Sequence, residues 1–158
     1  MEASGDWSAV EAAMRVTLPA DYKDFIATYG SGTIGNFITI FNPFSERPTL
    51  NLLNQSVKQI DVLNELHENF GEPRPYDLYP VVPGLLPVGM TDNGDIVHWL
   101  TDRDSVNWTI VVNEARSPDY EHFNYNLSEF ISSLLENSAS VRAFPHSIFQ
   151  NGVTFRSL

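Results

Sequence analysis

The chain has 158 residues, of which 20 are Asp or Glu and 9 are Lys or Arg, so its formal net charge is −11 with histidine neutral. This length corresponds to one domain, and the hydrophobic fraction of 42% suffices for a core, which excludes disordered, collagen-like and coiled-coil classes. The excess of carboxylates makes nucleic acids and anionic membranes unfavourable partners and favours a cationic one.

The sequence carries no signal for a membrane or for export. No apolar stretch reaches the roughly 18 to 20 residues that cross a bilayer, and the acidic start 1–6 lacks the features of a signal peptide. The lack of cysteine is compatible with a reducing compartment. We therefore expect a soluble, cytoplasmic protein.

A first short helix is predicted near the N-terminus. Ser8 and Glu11 have the spacing of a capping box, and Trp7 stands where a hydrophobic staple residue belongs. These signals predict a helix over about 9–16.

A second helix follows directly. Pro19 suits its first turn, and Gly30 stands where a left-handed C-cap belongs. Its apolar face has the helical spacing i, i+3, i+4 and i+7, and consists of Tyr22, Phe25, Ile26 and Tyr29. The segment 31–35 is then predicted to be a loop, and 37–41 a first strand.

The middle of the chain contains the clearest helix of the sequence. Apolar residues recur every three or four positions over 50–70, and Gly71 ends the segment. These residues are Leu53, Val57, Ile60, Leu63, Leu66 and Phe70. The next segment, 72–87, contains five prolines and is predicted to be an extended, wrapping loop.

Three consecutive antiparallel strands are predicted over 86–91, 95–100 and 108–113. The pair Asn93-Gly94 favours a tight two-residue hairpin between the first two. A further strand is predicted over 121–125.

The last part of the chain predicts one more helix. Asn126 and Glu129 form a capping box, and the residues expected to face the core are Phe130, Ile131, Leu134 and Leu135. The pair Asn151-Gly152 would turn a last hairpin between two apolar segments. Since no repeat or linker divides the chain, we expect one α+β domain over 1–158.

Local catalytic and metal-binding motifs are missing from the sequence. The run 30–35 matches G-x-G-x-x-G, but it follows a helix and precedes a strand, the reverse of a nucleotide-binding loop. The four histidines lack metal-ligand spacing, and there is neither a cysteine nor a serine nucleophile motif. We expect no enzyme, no cofactor and no metal. The alternative is an enzyme that uses dispersed residues such as His98 and His122.

Acidic residues concentrate in one part of the sequence. The segment 92–129 has eight carboxylates and two arginines. A tight turn would place Asp92 and Asp95 opposite each other, and a basic partner would relieve their repulsion. Asp102 and Asp104 would enlarge this patch. The alternative is a solvated turn and a charge that only maintains solubility.

The predicted strands have no plainly polar face. Either helices and loops cover both faces, or one face offers an aromatic anchor such as Trp99 or Trp108 to a partner. The candidate partner-binding residues are therefore Asp92, Asp95, Trp99, Asp102, Asp104, Trp108, Asp119 and Glu121.

Three segments in order resemble the SUKH superfamily of the Smi/Knr type. Residues 18–34 contain Leu-Pro, an aromatic-rich helix, Tyr-Gly-x-Gly and an aliphatic strand. Residues 86–99 contain a strand, an Asn-Gly-Asp turn and a strand with Trp99. Residues 123–135 are similar to the family's closing strand and amphipathic helix.

The resemblance implies an α+β fold with one bent, mainly antiparallel sheet and helices packed against it. It also implies a role, because bacterial members commonly act as immunity proteins that bind and neutralise a cognate toxin, often a nuclease. The family has no catalytic residues to transfer, and its motif residues are expected to be scaffold. Fungal relatives are signalling scaffolds, so a regulatory protein-interaction module is the alternative.

Overall fold

A computed structural model describes residues 3–150 and 152–158, and within them the chain forms four α-helices and seven β-strands. The helices are α1 Trp7–Met14, α2 Ala20–Tyr29, α3 Leu52–Phe70 and α4 Leu127–Leu135. The strands are β1 Gly32–Ile34, β2 Ile38–Ile40, β3 Leu85–Thr91, β4 Ile96–Leu100, β5 Thr109–Asn113, β6 Tyr120–Phe123 and β7 Phe155–Ser157. No helix of the described residues is long and apolar enough to cross a membrane.

The strands pair into one antiparallel sheet in the order β6-β5-β4-β3-β2-β1-β7. This arrangement confirms the predicted α+β class with helices packed on a single sheet. Strands β3 to β6 form a meander, as the sequence predicts, and α3 connects β2 to β3.

Helix α1 begins earlier than the sequence predicts. Asp6, and not Ser8, is the N-cap, and its carboxylate accepts a hydrogen bond from the Ala9 N–H at 3.2 Å. Glu11 therefore does not complete a capping box. Its carboxylate accepts from the Leu18 N–H at 2.6 Å and from the Lys23 ammonium at 2.9 Å, which joins α1 to α2.

The predictions for the two later amphipathic helices are confirmed in their bounds and caps. Gly71 ends α3 in the left-handed conformation. In α4 the carboxylate of Glu129 and the amide oxygen of Asn126 form the reciprocal bonds of a capping box. Leu135 differs from the prediction, because it is exposed at the end of α4.

Two connections differ from the prediction. The glycine-rich segment 31–35 is not only a loop, since it contains β1, which pairs with both β2 and β7. The β3–β4 hairpin has a three-residue loop, 92–94, with Gly94 at a φ of 91° and a hydrogen bond from the Gly94 N–H to the Thr91 carbonyl. This geometry is a turn followed by a glycine bulge, which a two-residue hairpin does not have.

Both faces of the sheet are covered, which decides between the two predicted alternatives. The main core joins one face to α1, α2 and α4, and its largest buried side chains include Trp99, Tyr22, Phe41 and Phe130. A smaller cluster on the other face joins Leu85 and Val111 to Leu63 of α3. The sheet thus lies between two helical layers over much of its width.

In the described part of the C-terminal segment, Phe155 pairs with β1, and residues 148–149 are not in a strand. Residue Asn151 of the expected turn lies outside the described residues. Beyond it, β7 pairs with β1, and the Leu158 N–H donates to the Ser31 carbonyl at 3.0 Å. The proline-rich segment is a loop up to Gly84, so Pro87 lies within β3.

Candidate partner-binding surface

The predicted acidic patch is divided between opposite ends of the sheet. Because β3, β4 and β5 are antiparallel neighbours, the loops 92–95 and 114–119 lie at one end and the loop 101–108 lies at the other. The five residues of β4 separate the two ends by about 17 Å. Asp102 and Asp104 therefore do not enlarge the patch at Asp92, which corrects the prediction. We call the loops 92–95 and 114–119 the acidic end.

Asp95 is an internal residue of the acidic end. It is buried, and its Oδ1 accepts a hydrogen bond from the Ala115 N–H at 2.9 Å while its Oδ2 accepts from the Thr91 hydroxyl at 2.7 Å. The carboxylate thus fastens the two loops of the acidic end to each other. The expectation that Asp95 is exposed and faces Asp92 across a turn is wrong.

The exposed carboxylates of the acidic end come from both loops. Asp92 and Asp119 are exposed. Glu114 is half-buried, and it was not among the predicted binding residues. Glu121 is half-buried on β6, where it accepts a hydrogen bond from the Arg142 N–H at 3.0 Å. Its Oε1 also lies 3.8 Å from Nε of Arg142, so this carboxylate is paired within the protein.

The opposite end of the sheet has a smaller acidic loop. Asp104 is the N-cap of a 3₁₀ turn at Ser105–Asn107 and accepts a hydrogen bond from the Val106 N–H at 3.1 Å. The carbonyl of Asp102 accepts from Nε1 of Trp108 at 2.9 Å. Both carboxylates are exposed, and both residues order the loop by local hydrogen bonds.

The two predicted aromatic anchors are core residues. Trp99 and Trp108 are buried, their ring centroids lie 5.4 Å apart, and the Trp99 ring packs edge to face on Tyr22 at 4.9 Å. Neither tryptophan reaches the surface of this structure, so the expectation of an exposed aromatic anchor at these positions is wrong.

The acidic end continues into an apolar groove of about 630 Å³ beside α3. One wall consists of the C-terminal half of α3, where Val62 is 41% exposed and Phe70 is 74% exposed. The other wall consists of the loops of the acidic end, including Glu114 and Arg116. We call this cleft the α3 groove. Phe70 is one of the periodic apolar residues that predict α3, and the structure shows it on the surface.

Each wall of the α3 groove has one carboxylate. Glu72, just after α3, and Glu114, on the loop wall, line the groove, and Asp92 lines the adjoining cleft that also contains Glu114 and Arg116. Burial raises the pKa of Tyr120, and the Glu72 carboxylate raises it further while Arg74 opposes the rise. Glu72 is therefore close enough to Tyr120 of β6 for its charge to affect that side chain.

A second groove, of about 590 Å³, lies between α2 and α4. Its lining is mainly apolar and aromatic, with Tyr29, Leu135 and Phe155 among the side chains. Asp24 is exposed at this groove, whereas Asp21 accepts a hydrogen bond from the Ser128 N–H at 3.1 Å. Asp21 and Asp24 both line this groove, so it is acidic as well.

The histidines do not form a cluster in the described residues. His98 is buried with neither ring nitrogen hydrogen-bonded there, and burial lowers its pKa from 6.5 to about 3. His122 is exposed and bonds the Thr109 hydroxyl at 2.9 Å, and Val111 separates the two histidines across the sheet. No group of three or more potential metal-binding side chains occurs in residues 3–150 and 152–158.

A family model described as SMI1-KNR4 cell-wall, SUKH_6, matches residues 4–131. The chain belongs to the SUKH superfamily. The match extends from before α1 into α4 of this SUKH domain, and it includes the acidic end and the α3 groove. Neither a curated protein nor a solved structure matches the chain.

The residues that carry the SUKH signature are mainly scaffold in this protein. Leu18, Tyr22 and Trp99 are buried, and the Tyr22 hydroxyl donates to the Phe41 carbonyl. Gly30 ends α2 at a φ of 65°. Since these side chains hold α2 against the sheet, the SUKH signature defines the fold, and a binding surface has to be sought elsewhere.

The last part of this SUKH protein, after residue 131, lies outside the family match. It nevertheless contributes to the core through Val141, Phe144 and Phe149. It also supplies Arg142 to Glu121 and β7 to the edge of the sheet. The C-terminal segment therefore extends the matched fold as an integral part of its packing.

Proposed function

We propose that this SUKH protein is an immunity protein that binds a cognate bacterial toxin with a basic, nuclease-type surface and blocks it by occlusion. Family membership supports the proposal, because the resemblance implies this role for bacterial members. The observation that carries it is the charge: a net −11, with carboxylates on both walls of an exposed apolar groove. Such a surface is complementary to a basic protein.

Occlusion requires no chemistry from the immunity protein. A nuclease binds the phosphates of its substrate through lysine and arginine, so its substrate surface is basic. A rigid acidic surface of typical interface size, about 1,600 Å² in total, would cover that site and exclude nucleic acid. The protein would then act in the cytoplasm without a cofactor or metal, as a binding partner and not as an enzyme.

The test uses the product of the gene directly upstream, where an immunity system places its toxin. We would purify that product, titrate the SUKH protein against its nuclease activity, and measure binding by calorimetry with a toxin inactivated at its active site. The proposal expects a stoichiometric complex and complete loss of nuclease activity at equivalence. An active upstream nuclease that neither binds the protein nor loses activity would contradict the proposal, and a regulatory protein bound in its place would favour the scaffold alternative.

A further inference from the structure

We infer that the α3 groove is the specificity pocket of this surface and that it binds an apolar side chain flanked by lysine or arginine on the partner. The inference rests on the proposed function for the identity of the partner. It goes further by naming the footprint and its chemistry: an apolar centre in the groove and a basic rim against its two walls.

The first support is a row of apolar side chains on α3 that belongs to neither hydrophobic cluster. Val62, Leu66 and Phe70 follow each other at i, i+4 and i+8 and all line the groove. The core contact of this part of α3 is made by Leu63, which is buried against Leu85 and Val111. Since Leu63 and not this row makes the core contact, the exposed Phe70 at the end of the row indicates an interaction surface.

The second support is the size of the groove. Its volume of about 630 Å³ is in the range of binding pockets in proteins, roughly 300 to 1,000 Å³. The two ends of the apolar row, Val62 and Phe70, are about 12 Å apart along the helix axis. This length accommodates two turns of a partner helix or a short extended segment.

The third support is charge complementarity, which selects a basic partner over a second copy of the chain. Glu72 on the α3 wall and Glu114 on the loop wall oppose an anionic surface, while Arg116 on the loop wall offsets part of this negative charge. Two copies would bring the same carboxylates together, with a net charge of −11 on each chain. A partner with an apolar residue between lysines or arginines would place the apolar side chain in the groove and its positive charges next to the carboxylates of the walls.

The fourth support is that the loop wall is held in place before a partner arrives. The Asp95 carboxylate bonds the Ala115 N–H and the Thr91 hydroxyl, so the loop 114–119 is tied to the β3–β4 turn. A preformed wall reduces the ordering cost of binding and lets a groove discriminate by shape.

The experiment compares two sets of substitutions on the same helix. The groove variant combines Val62→Ser and Phe70→Ser, both at exposed positions. The matched control is Val57→Ser, which is 61% exposed and points about 140° away from Val62 around the α3 axis. With the inactivated product of the upstream gene as probe, we expect the groove variant to bind about 100-fold more weakly and the control to stay within about threefold of the unmodified protein.

Hydrogen exchange locates the footprint without a substitution. In the complex with the same probe, we expect added protection over residues 59–73 and 113–118. Equal binding of the probe by the unmodified protein and the groove variant, with the added protection in other residues, would contradict the inference about the groove. The proposed function would still stand.

A defined peptide tests the groove when the upstream product does not bind. A synthetic helical peptide of lysine and leucine, titrated at low salt, should shift the NMR amide signals of residues 62–70 and 114–118. A peptide of the same length with glutamate in place of lysine should not. Absence of shifts there with the lysine peptide overturns the inference, whatever the upstream product does.

Discussion

A single carboxylate, that of Asp95, holds the acidic end together. Replacing it with alanine leaves the Ala115 N–H and the Thr91 hydroxyl without the acceptors they have in the native turn. An unpaired buried polar group costs roughly 1 to 3 kcal/mol, so we expect Asp95→Ala to lower the free energy of unfolding by about 2 kcal/mol. Urea denaturation measures this change.

The neighbouring Asp92 supplies the control for that substitution. It is exposed, and exposed substitutions change stability by about 0.5 kcal/mol or less. Equal unfolding midpoints for Asp95→Ala and Asp92→Ala would contradict the structural role of Asp95.

His98 makes folding stability depend on pH. Its ring is buried between the cross-strand neighbours Pro87 and Val111, and burial lowers its pKa to about 3. The unfolded chain has the ordinary value of about 6.5, so between these values the unfolded state binds the proton more readily. The stabilisation is therefore fully present above pH 6.5 and is lost as the pH falls toward 3.

We expect His98→Leu to remove this dependence. Relative to the variant, the unmodified protein should lose about 1.4 kcal/mol of unfolding free energy for each pH unit below 6.5. Denaturation curves at pH 7, 6, 5 and 4 measure the difference. His146→Leu, at an exposed position, is the control and should follow the unmodified protein. Parallel curves for His98→Leu and the unmodified protein would show that the buried ring does not govern acid stability.

At the scale of elements, β7 is held to the sheet by close packing over a glycine. A Cβ atom at Gly32 would lie 2.2 Å from the Phe155 ring and 2.5 Å from the Arg156 carbonyl oxygen. We expect Gly32→Ala to displace β7 from β1, because a backbone oxygen cannot move away without breaking the pairing. Loss of hydrogen-exchange protection at the Leu158 N–H, which bonds the Ser31 carbonyl, reports the displacement.

A substitution at the next residue of β1 controls for changes in that strand. Thr33 is buried and its hydroxyl has no hydrogen-bond partner in the described residues. Thr33→Val keeps the volume of the side chain, so protection at Leu158 should persist. Protection retained in Gly32→Ala would show that β7 tolerates the added methyl group.

The same strands show what the sequence could predict of the fold and what it could not. Helices α3 and α4 were predictable because their periodicity and caps are local signals. The pairing of β7 with β1 joins segments about 120 residues apart, and β1 has only three residues in a glycine-rich run. No local pattern indicates such a contact.

The candidate site was predictable only in part, for a similar reason. The sequence located acidic residues but could not show that Asp95 points inward and Asp92 outward in one turn. It also grouped exposed Phe70 with buried Leu63, because the periodicity of α3 does not reveal that only part of its apolar surface meets the sheet. Burial depends on which elements pack together, and that is a tertiary property.

At the scale of the whole molecule, the net charge and its placement make separate contributions to association. All 20 carboxylates add to a long-range field that attracts a basic protein, while those beside the groove also direct its orientation. The predicted acidic residues lie at two opposite ends of the sheet, and each end has two carboxylates that can be neutralised by substitution. The effect of total charge can therefore be measured separately from the effect of charge position.

We expect the position of the charges to matter more than their number. Asp92→Asn with Glu114→Gln, at the acidic end, and Asp102→Asn with Asp104→Asn, at the opposite end, both change the net charge by two. The first pair should slow association with the inactivated upstream product about three- to tenfold at low salt and flatten its salt dependence, while the second should change the rate less than twofold. Stopped-flow association rates across a salt series measure both effects. Equal slowing by the two pairs would mean that only the overall charge steers the partner, and stronger slowing by the second pair would move the interface to the loop 101–108.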